Sequence, residues 1–263
     1  MSNFADMATI FEATFDSSSY FESSSAESTK HSLIHTIQDG KTPLIFLLGE
    51  PGVGKTYMLN LLQTLFNQDK KILFTSEPFS TPESFLYFLL QDKNLDKRLN
   101  ISELKQKALE SYSCLDNLII IDEAQLINET VLEFIRTLSD SNHFNFLLSM
   151  HKTDGEKILK KPHFLSRTHH VVKLGILEKR EIAQYIKSQL SSNNFNEFTD
   201  LFNKKHIKYI EKLSEGNFRI IKQILKHTFL IMEYAKAHGH IKYSSPNNCV
   251  ITMSAIDLGI IDA

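Results

Sequence analysis

Cysteine, tryptophan, proline and glycine are all scarce in this chain of 263 residues. It has two cysteines, Cys114 and Cys249, no tryptophan, six prolines and nine glycines. Two cysteines so far apart build neither a disulfide framework nor a zinc site, and they favour a reducing compartment. An apolar core must therefore hold the chain together, and its hydrophobic fraction of 42% is ordinary for that purpose.

Charge of one sign and long apolar runs are also missing. The net charge of −2 provides no overall basic field that would attract nucleic acid or anionic lipid, although it is compatible with a local basic patch. Apolar runs such as Leu44–Leu48 are far shorter than the ~20 residues that cross a bilayer. The N-terminus has Asp6 and Glu12 but no basic segment, so it is not a signal peptide. We expect a cytoplasmic protein without a transmembrane segment.

Short apolar runs alternate with helical patterns up to about residue 174. This alternation predicts a parallel β-sheet with helices on both faces. Beyond that point the patterns are helical only, so a second domain begins near residue 176. The predicted strands are Leu44–Leu48, Lys71–Thr75, Asn117–Ile121, Phe144–Ser149 and Val171–Leu174. The predicted helices are His31–Asp39, Gly54–Phe66, Pro82–Leu90, Ser102–Ser111, Thr130–Leu138, Glu178–Leu190, Phe198–Leu213, Asn217–Ala237 and a short one within Val250–Asp262.

The segment Gly49–Thr56 joins the first predicted strand to a helix and reads G-x-x-x-x-G-K-[ST], the pattern of a phosphate-binding loop. Its glycines allow a tight turn in which several backbone N–H groups face one concavity, and the following helix adds the positive end of its dipole. Lys55 can reach the β- and γ-phosphates, and the Thr56 hydroxyl can bind Mg²⁺. The predicted ATP-binding residues are Gly49, Glu50, Pro51, Gly52, Val53, Gly54, Lys55, Thr56 and Tyr57.

A second apolar strand, Leu118–Ile121, ends in the two carboxylates Asp122 and Glu123. Alone, this pattern is more typical of a solvated acidic turn. After a phosphate-binding loop, it predicts that Asp122 binds Mg²⁺ together with Thr56 and that Glu123 acts as general base toward the attacking water. An Asp-Glu pair at this place favours ATP over GTP. The expected reaction is hydrolysis of ATP to ADP and phosphate, in which Lys55 stabilises the charge on the phosphates.

These two motifs, followed by a helical C-terminal part, make the chain resemble an AAA+ ATPase over nearly its whole length. The resemblance implies an α/β fold in which a P-loop core with a five-stranded parallel sheet precedes a small all-helical lid. It implies a nucleotide-binding α/β domain over 31–176 and a lid domain over 177–263. The Ser-rich, acidic segment over residues 1–30 has aromatic residues spread along it, which predict a lead-in that docks on the core. The resemblance also implies a homo-oligomer, such as a nucleotide-dependent ring.

The same resemblance assigns roles to three further positions. Ser149, at the end of the fourth predicted strand, is the first choice for the sensor that contacts the nucleotide from this strand, and His151 is the second; a plain strand end is the alternative. Arg167 matches the arginine finger that reaches the γ-phosphate of a neighbouring subunit, unless it is a surface residue of a basic loop. Arg219, which follows Asn217 at a helix start, resembles the second sensor, unless it belongs to a capping turn.

Within the family, the chain is most similar to the ExeA/GspA/MshM-type ATPases, which are linked to type II secretion and type IV pili. The similar stretches are the lead-in Asp16–Ser23, the segment Leu174–Leu177 and the ending Ala255–Ile260. Many such proteins continue into a transmembrane segment and a peptidoglycan-binding domain, which this sequence does not show, so the cell-wall role is not carried over. Transposition regulators of the TniB type share much of the same pattern.

Two functions from different classes are therefore open. The first is an ATPase that acts on the assembly or operation of a type II secretion, type IV pilus or DNA-uptake (natural transformation) machine, with a membrane-bound partner and a peripheral position at the inner membrane. The alternative is a DNA-associated ATPase of transposition, replication or repair, supported by the basic stretch Lys160–His170 and by the lysines Lys204, Lys205, Lys208 and Lys212. DNA is the less favoured partner because such lysines also fit a solvated helix face. A scaffold that binds nucleotide without hydrolysing it is a third possibility.

Overall fold

The computed structural model describes residues 4–12, 21–95, 99–113, 115–165 and 169–262. These residues form two compact units. The α/β unit comprises Glu27–Pro51 and Lys55–Leu174, and the helical unit comprises the described residues up to Ala26, the short piece Gly52–Gly54 and the chain from Gly175 onward. Within the described ranges, no helix is both long enough and apolar enough to cross a membrane.

The α/β unit is built on a single parallel sheet. Its strands are β1 (Leu44–Gly49), β2 (Lys71–Thr75), β3 (Asn117–Ile121), β4 (Phe146–His151) and β5 (His170–Lys173). They lie in the order β2-β3-β4-β1-β5, and every neighbouring pair is parallel. This confirms the predicted five-stranded parallel sheet. All six residues of β1 are buried, as expected for a strand that is covered on both faces.

Helices surround these strands in the α/β unit and make up most of the helical unit. They are α1 (Phe4–Ile10), α2 (Ser24–Asp39), α3 (Lys55–Phe66), α4 (Pro82–Leu89), α5 (Ile101–Ser111), α6 (Glu129–Ser139), α7 (Lys152–Leu159), α8 (Pro162–Leu165), α9 (Lys179–Ser192), α10 (Lys204–Ser214), α11 (Phe218–Ala237) and α12 (Asn248–Asp257). Several of them begin where a side chain satisfies the first backbone N–H groups. Asn100, for example, accepts a hydrogen bond from the N–H of Glu103, whose carboxylate accepts in turn from the N–H of Asn100.

The register of the sheet brings the carboxyl ends of its central strands to one edge. Gly49 at the end of β1 lies opposite His151 at the end of β4. Ile121 at the end of β3 lies opposite Leu148 in β4 and Thr75 at the end of β2. Residues that directly follow β1 and β3 therefore meet at this edge, where open parallel sheets bind their ligands.

The helical unit has a core of its own, to which the N-terminal segment contributes. Phe11, directly after α1, stacks on Phe229 of α11 with ring centroids 5.7 Å apart. The backbone N–H of Phe4 donates to the carboxylate of Glu233 at 2.8 Å. Met7 is fully buried in the same core. The described residues 4–12 of the predicted lead-in pack in the helical unit, where their apolar side chains cover α11. Docking of the lead-in on the α/β core stays a prediction.

Some element boundaries differ from the sequence prediction. Strand β4 begins at Phe146 rather than Phe144 and runs on to His151. The apolar run alone misplaces its start, because Phe144 is as fully buried as the strand residues and its ring stacks on that of Phe146. The predicted helix Phe198–Leu213 begins only at Lys204, after a short 3₁₀ turn over Asn196–Phe198, and it ends at Ser214. The side chain of Asn203 accepts hydrogen bonds from the N–H groups of Lys205 and His206, which fixes the start of α10.

Candidate nucleotide-binding and hydrolysis site

The phosphate-binding loop leaves β1 and enters α3 at Lys55. Gly52 and Gly54 have φ angles of +82° and +105°, which residues with a side chain rarely adopt. The side chain of Lys55 is buried, and its Nζ donates to the carbonyl oxygens of Gly49 at 3.0 Å and of Glu50 at 3.2 Å. The lysine is thus folded back along the loop, with its charge directed toward the inside of the turn.

The loop has room and donors for a phosphate group. A methyl group added at Gly54 would meet no atom within 4 Å. The backbone N–H groups of Gly52, Val53 and Gly54 make no hydrogen bond within the described part of the chain. Unpaired donors in a concave turn, next to a lysine and a helix N-terminus, are suited to an anion with several acceptor oxygens. The loop residues therefore fit the phosphates of a nucleotide.

The acidic motif lies beside the loop. The Thr56 hydroxyl, at the start of α3, donates to the Asp122 carboxylate at 2.6 Å. Asp122 directly follows β3 and is buried; its own N–H donates to the carbonyl of Thr75 at 2.8 Å. A hydroxyl and a carboxylate in contact are oxygen ligands of the kind that Mg²⁺ prefers. The predicted pair Thr56 and Asp122 is therefore together in space and fits a magnesium ion.

Glu123 occupies an unusual backbone conformation next to Asp122. Its φ of +51° and ψ of +36° lie in the left-handed region, which non-glycine residues rarely enter. Its N–H donates to the Asp122 carboxylate at 3.0 Å. Its own carboxylate accepts a hydrogen bond from the side-chain amide of Gln125 and lies 3.3 Å from Nε2 of His151. Such backbone strain is typical of functional sites, because it directs a side chain where a regular turn would not.

The two candidates for the sensor on β4 differ in their surroundings. Ser149 is fully buried opposite Leu47 of β1, and its hydroxyl has no hydrogen-bond partner among the described residues. His151, at the end of the strand, is half-exposed and contacts Glu123. Ser149 is thus buried within the strand, whereas His151 lies beside Glu123, and the sensor role of either residue stays a prediction. The strand is longer at its carboxyl end than its apolar run indicates, and this is why the sequence favours Ser149.

Arg219 lies at the start of α11, in the helical unit. The side chain of Asn217 caps this helix and accepts from the N–H of Arg219 at 3.1 Å. The same N–H donates to the carbonyl of Gly52 at 3.0 Å. Both residues belong to the helical unit, because that unit includes the short piece Gly52–Gly54. The side chain of Arg219 is exposed. One turn further on, burial lowers the pKa of Lys222, which lies over the ring of Phe218.

Two further residues bear on the site, one predicted from the sequence and one not. Arg167, predicted as the arginine finger, lies outside the described residues. Gln125 was not predicted, although its place two residues after Glu123 in the sequence is a signal that could have found it. It lies in a short 3₁₀ turn over Ala124–Leu126, which folds its side chain back toward the carboxylate.

Comparison with known proteins supports the same fold. Residues 38–159 match the AAA domain family. The RuvB Holliday junction branch migration motor of Thermotoga maritima is 17% identical with a TM-score of 0.60, over 96% of this chain and 74% of that one. The ORC2 protein of Aeropyrum pernix is 14% identical with a TM-score of 0.58, over 93% and 70%. Domain III of the Thermotoga maritima replication initiation protein DnaA is 16% identical with a TM-score of 0.56, over 94% and 97%. None of the curated proteins matches the chain.

At these identities the likeness to solved structures concerns the fold. The family match covers most of the α/β unit, including the phosphate-binding loop, Asp122 and Glu123. The parallel sheet, the loop after β1 and the acidic end of β3 agree with it. The chain thus has the fold of its AAA+ P-loop ATPase neighbours, and its residues 38–159 are similar to an AAA domain.

Proposed function

We propose that the protein binds Mg-ATP and hydrolyses it to ADP and phosphate. The observation that carries this proposal is the contact of 2.6 Å between Thr56 and Asp122, next to the loop at Gly49–Thr56 and to Glu123. A metal-binding pair, a phosphate-binding loop and a carboxylate beside them are the parts that phosphoryl transfer to water needs.

Each residue has one task in this reaction. Lys55 and the N–H groups of the loop neutralise the β- and γ-phosphates. Thr56 and Asp122 would hold Mg²⁺, which adds positive charge at the phosphates when bound. Glu123 orients a water molecule for in-line attack on the γ-phosphorus and accepts its proton. The bond from the γ-phosphorus to the bridging oxygen breaks, and ADP leaves with the electron pair of that bond.

Two substitutions separate binding from hydrolysis. Lys55→Ala should abolish nucleotide binding, measured with a fluorescent ATP analogue. Glu123→Gln should bind ATP normally but lower steady-state turnover by a factor of about 10²–10⁴, the usual contribution of a general base. Lys41→Ala and Glu110→Gln, at exposed positions outside the site, are the controls and should leave both properties unchanged. Full turnover in Glu123→Gln would remove this residue as the base.

For the cellular role, we favour action on a secretion, pilus or DNA-uptake machine through a membrane-bound partner. Its support is the resemblance of the lead-in, of Leu174–Leu177 and of the ending Ala255–Ile260 to the ExeA/GspA/MshM type. The partner would act as the stimulus for hydrolysis. Homo-oligomerisation belongs to the same proposal, because the finger Arg167 would complete the site of a neighbouring subunit.

A specific surface favours the alternative, a DNA-associated ATPase. Lys205, Lys208 and Lys212 recur along one face of α10 and line a groove of about 410 Å³ together with Tyr209, Glu211 and Asn248. Each of these lysines is exposed, and none forms an ion pair with a carboxylate among the described residues. By contrast, the exposed lysines Lys157, Lys173 and Lys187 all contact carboxylates. Unpaired cations beside an aromatic ring suit a nucleic-acid backbone. The RuvB and DnaA structures, named for branch migration and replication initiation, have the same fold.

ATPase activity measured against protein concentration, with and without single- and double-stranded DNA, decides between the two roles. Stimulation by DNA supports the alternative. Turnover that rises with protein concentration and is unchanged by DNA supports the role in a secretion, pilus or DNA-uptake machine. The same assay with vesicles of anionic lipid shows whether polyanions other than DNA also stimulate ATP hydrolysis.

The groove is tested directly by changing Lys205, Lys208 and Lys212 together to Gln. If they contact phosphates, DNA binding should weaken, and the slope of log K against log salt should fall by about 0.9 for each lysine removed. The control variant changes the exposed lysines Lys41, Lys93 and Lys107 to Gln and so loses the same amount of positive charge outside the groove. An equal effect of both triple variants would mean that net charge alone matters.

A further inference from the structure

The carboxylate of Glu123 is held by one of its two oxygens. Gln125 donates a hydrogen bond from Nε2 to Oε2 of Glu123, and Nε2 of His151 lies 3.3 Å from the same oxygen. The other oxygen, Oε1, has no hydrogen-bond partner in the described part of the chain. A carboxylate held in this way keeps one oxygen fixed and leaves the second one to accept a further hydrogen bond.

Gln125 is in turn held at both ends of its amide. While Nε2 donates to Glu123, Oε1 of Gln125 accepts from the backbone N–H of His151 at 3.3 Å. The amide cannot flip without losing both contacts, because its donor and acceptor would change places. The side chain therefore links the residue after β3 to the last residue of β4, and it does so through a backbone group that no substitution at position 151 other than proline removes.

His151 adds a second, weaker restraint. Its ring lies between two carboxylates, Oε2 of Glu123 at Nε2 and Oδ2 of Asp154 at Nδ1, the latter 3.9 Å away. Asp154 belongs to the first turn of α7, which begins directly after β4. The ring is thus confined from both sides, although at 3.9 Å the contact with Asp154 is too long for a hydrogen bond.

We infer that Gln125 is a positioning residue for ATP hydrolysis, which holds the Glu123 carboxylate against the end of β4 so that Oε1 accepts the proton of the attacking water. This inference rests on the proposed function. Glu123 is half-exposed, and Gln125 and His151 are the side chains that contact its carboxylate in the described part of the chain. Without the amide, the carboxylate samples other rotamers and fewer molecules are ready for proton transfer. Nucleotide binding through the loop does not depend on this contact.

The test replaces Gln125 by Met, which keeps the length of the side chain but removes both hydrogen bonds. The kcat for ATP should fall about tenfold or more, while KM and the affinity for a fluorescent ATP analogue stay within about twofold of the unsubstituted protein. A merely structural role would change affinity and kcat together. Gln106→Met is the matched control, because Gln106 also donates to a glutamate, Glu110 at 3.0 Å, but on the exposed side of α5.

A double substitution shows whether Gln125 acts through Glu123. In the Glu123→Gln background, Gln125→Met should lower the residual single-turnover rate by less than about twofold, because residues that act as a unit are not additive. A full additional loss, or an unchanged kcat in the single variant, overturns the inference. Should Gln125→Met fail to fold, Gln125→Asn, which is polar but one methylene shorter, provides the same readout. Absence of turnover in the unsubstituted protein contradicts the proposed function itself, whereas normal turnover in Gln125→Met contradicts only this inference.

Discussion

At the scale of single residues, the chemistry of the candidate site was open to prediction but its geometry was not. The motif spacing identifies Lys55, Thr56, Asp122 and Glu123, because few residue types can bind phosphate or magnesium at those places. No sequence pattern indicates the left-handed backbone conformation of Glu123, with φ of +51°. It results from the turn that follows β3, and holding it costs about 1–3 kcal/mol, which the surrounding contacts must offset.

Gly155 is a residue whose small size matters for packing. It lies in α7 against β1, and a methyl group added there would come within 2.3 Å of Cδ2 of the buried Leu48. We expect Gly155→Ala to destabilise the α/β unit by about 1–3 kcal/mol, because overpacking of a full core outweighs the gain in helix propensity. Urea unfolding followed by circular dichroism measures this change.

The contact with Leu48 has its own test. In the double variant Gly155→Ala with Leu48→Val, the clashing Cδ2 methyl group of Leu48 is gone, so the two changes should cost less together than the sum of their separate costs. Strict additivity would show that the loss in Gly155→Ala has another origin, such as a shift of the helix as a whole.

At the scale of elements, the apolar face of the N-terminal segment belongs to the helical unit. Phe11 is buried between Phe229, 5.7 Å away, and Tyr185, 6.0 Å away between ring centroids. We expect Phe11→Ala to destabilise the helical unit by about 3–5 kcal/mol, the usual cost of a large buried ring. Equilibrium unfolding of the full chain measures it.

A control for this prediction lies on α11 itself. Tyr234 is also aromatic, but 62% of it is exposed, so Tyr234→Ala should change stability by no more than about 0.5 kcal/mol. If Phe11→Ala were as harmless as Tyr234→Ala, the segment up to residue 12 would contribute nothing to the stability of the helical unit in solution.

At the scale of the whole molecule, the proposed arginine finger Arg167 would make hydrolysis depend on a second copy of the chain. Arg167→Ala should give a folded protein that binds ATP like the unsubstituted one, but whose turnover no longer rises with protein concentration. An arginine finger contributes about 10³–10⁵ in rate, so the loss should be large. Steady-state ATPase assays over a range of concentrations, with sedimentation to follow assembly, measure both properties.

The control for the finger is Arg180→Ala, which removes an exposed arginine from the start of α9. It should retain the dependence on concentration. Normal turnover in Arg167→Ala would remove the finger and, with it, the main reason to expect that hydrolysis depends on assembly.

Local sequence patterns are sufficient to predict the type of fold and the candidate reacting groups. Short apolar runs that alternate with helical patterns predict a parallel sheet, because strands buried on both faces need such runs. The phosphate-binding loop and the acidic motif each follow a strand, and parallel strands end at one edge of the sheet, so the two motifs are predicted to lie close together. How these groups are held follows from tertiary contacts alone. Gln125 and His151 contact Glu123, Ser149 is buried within β4, and residues 4–12 pack on α11. Each of these depends on distances between segments far apart in the chain, which local patterns do not encode.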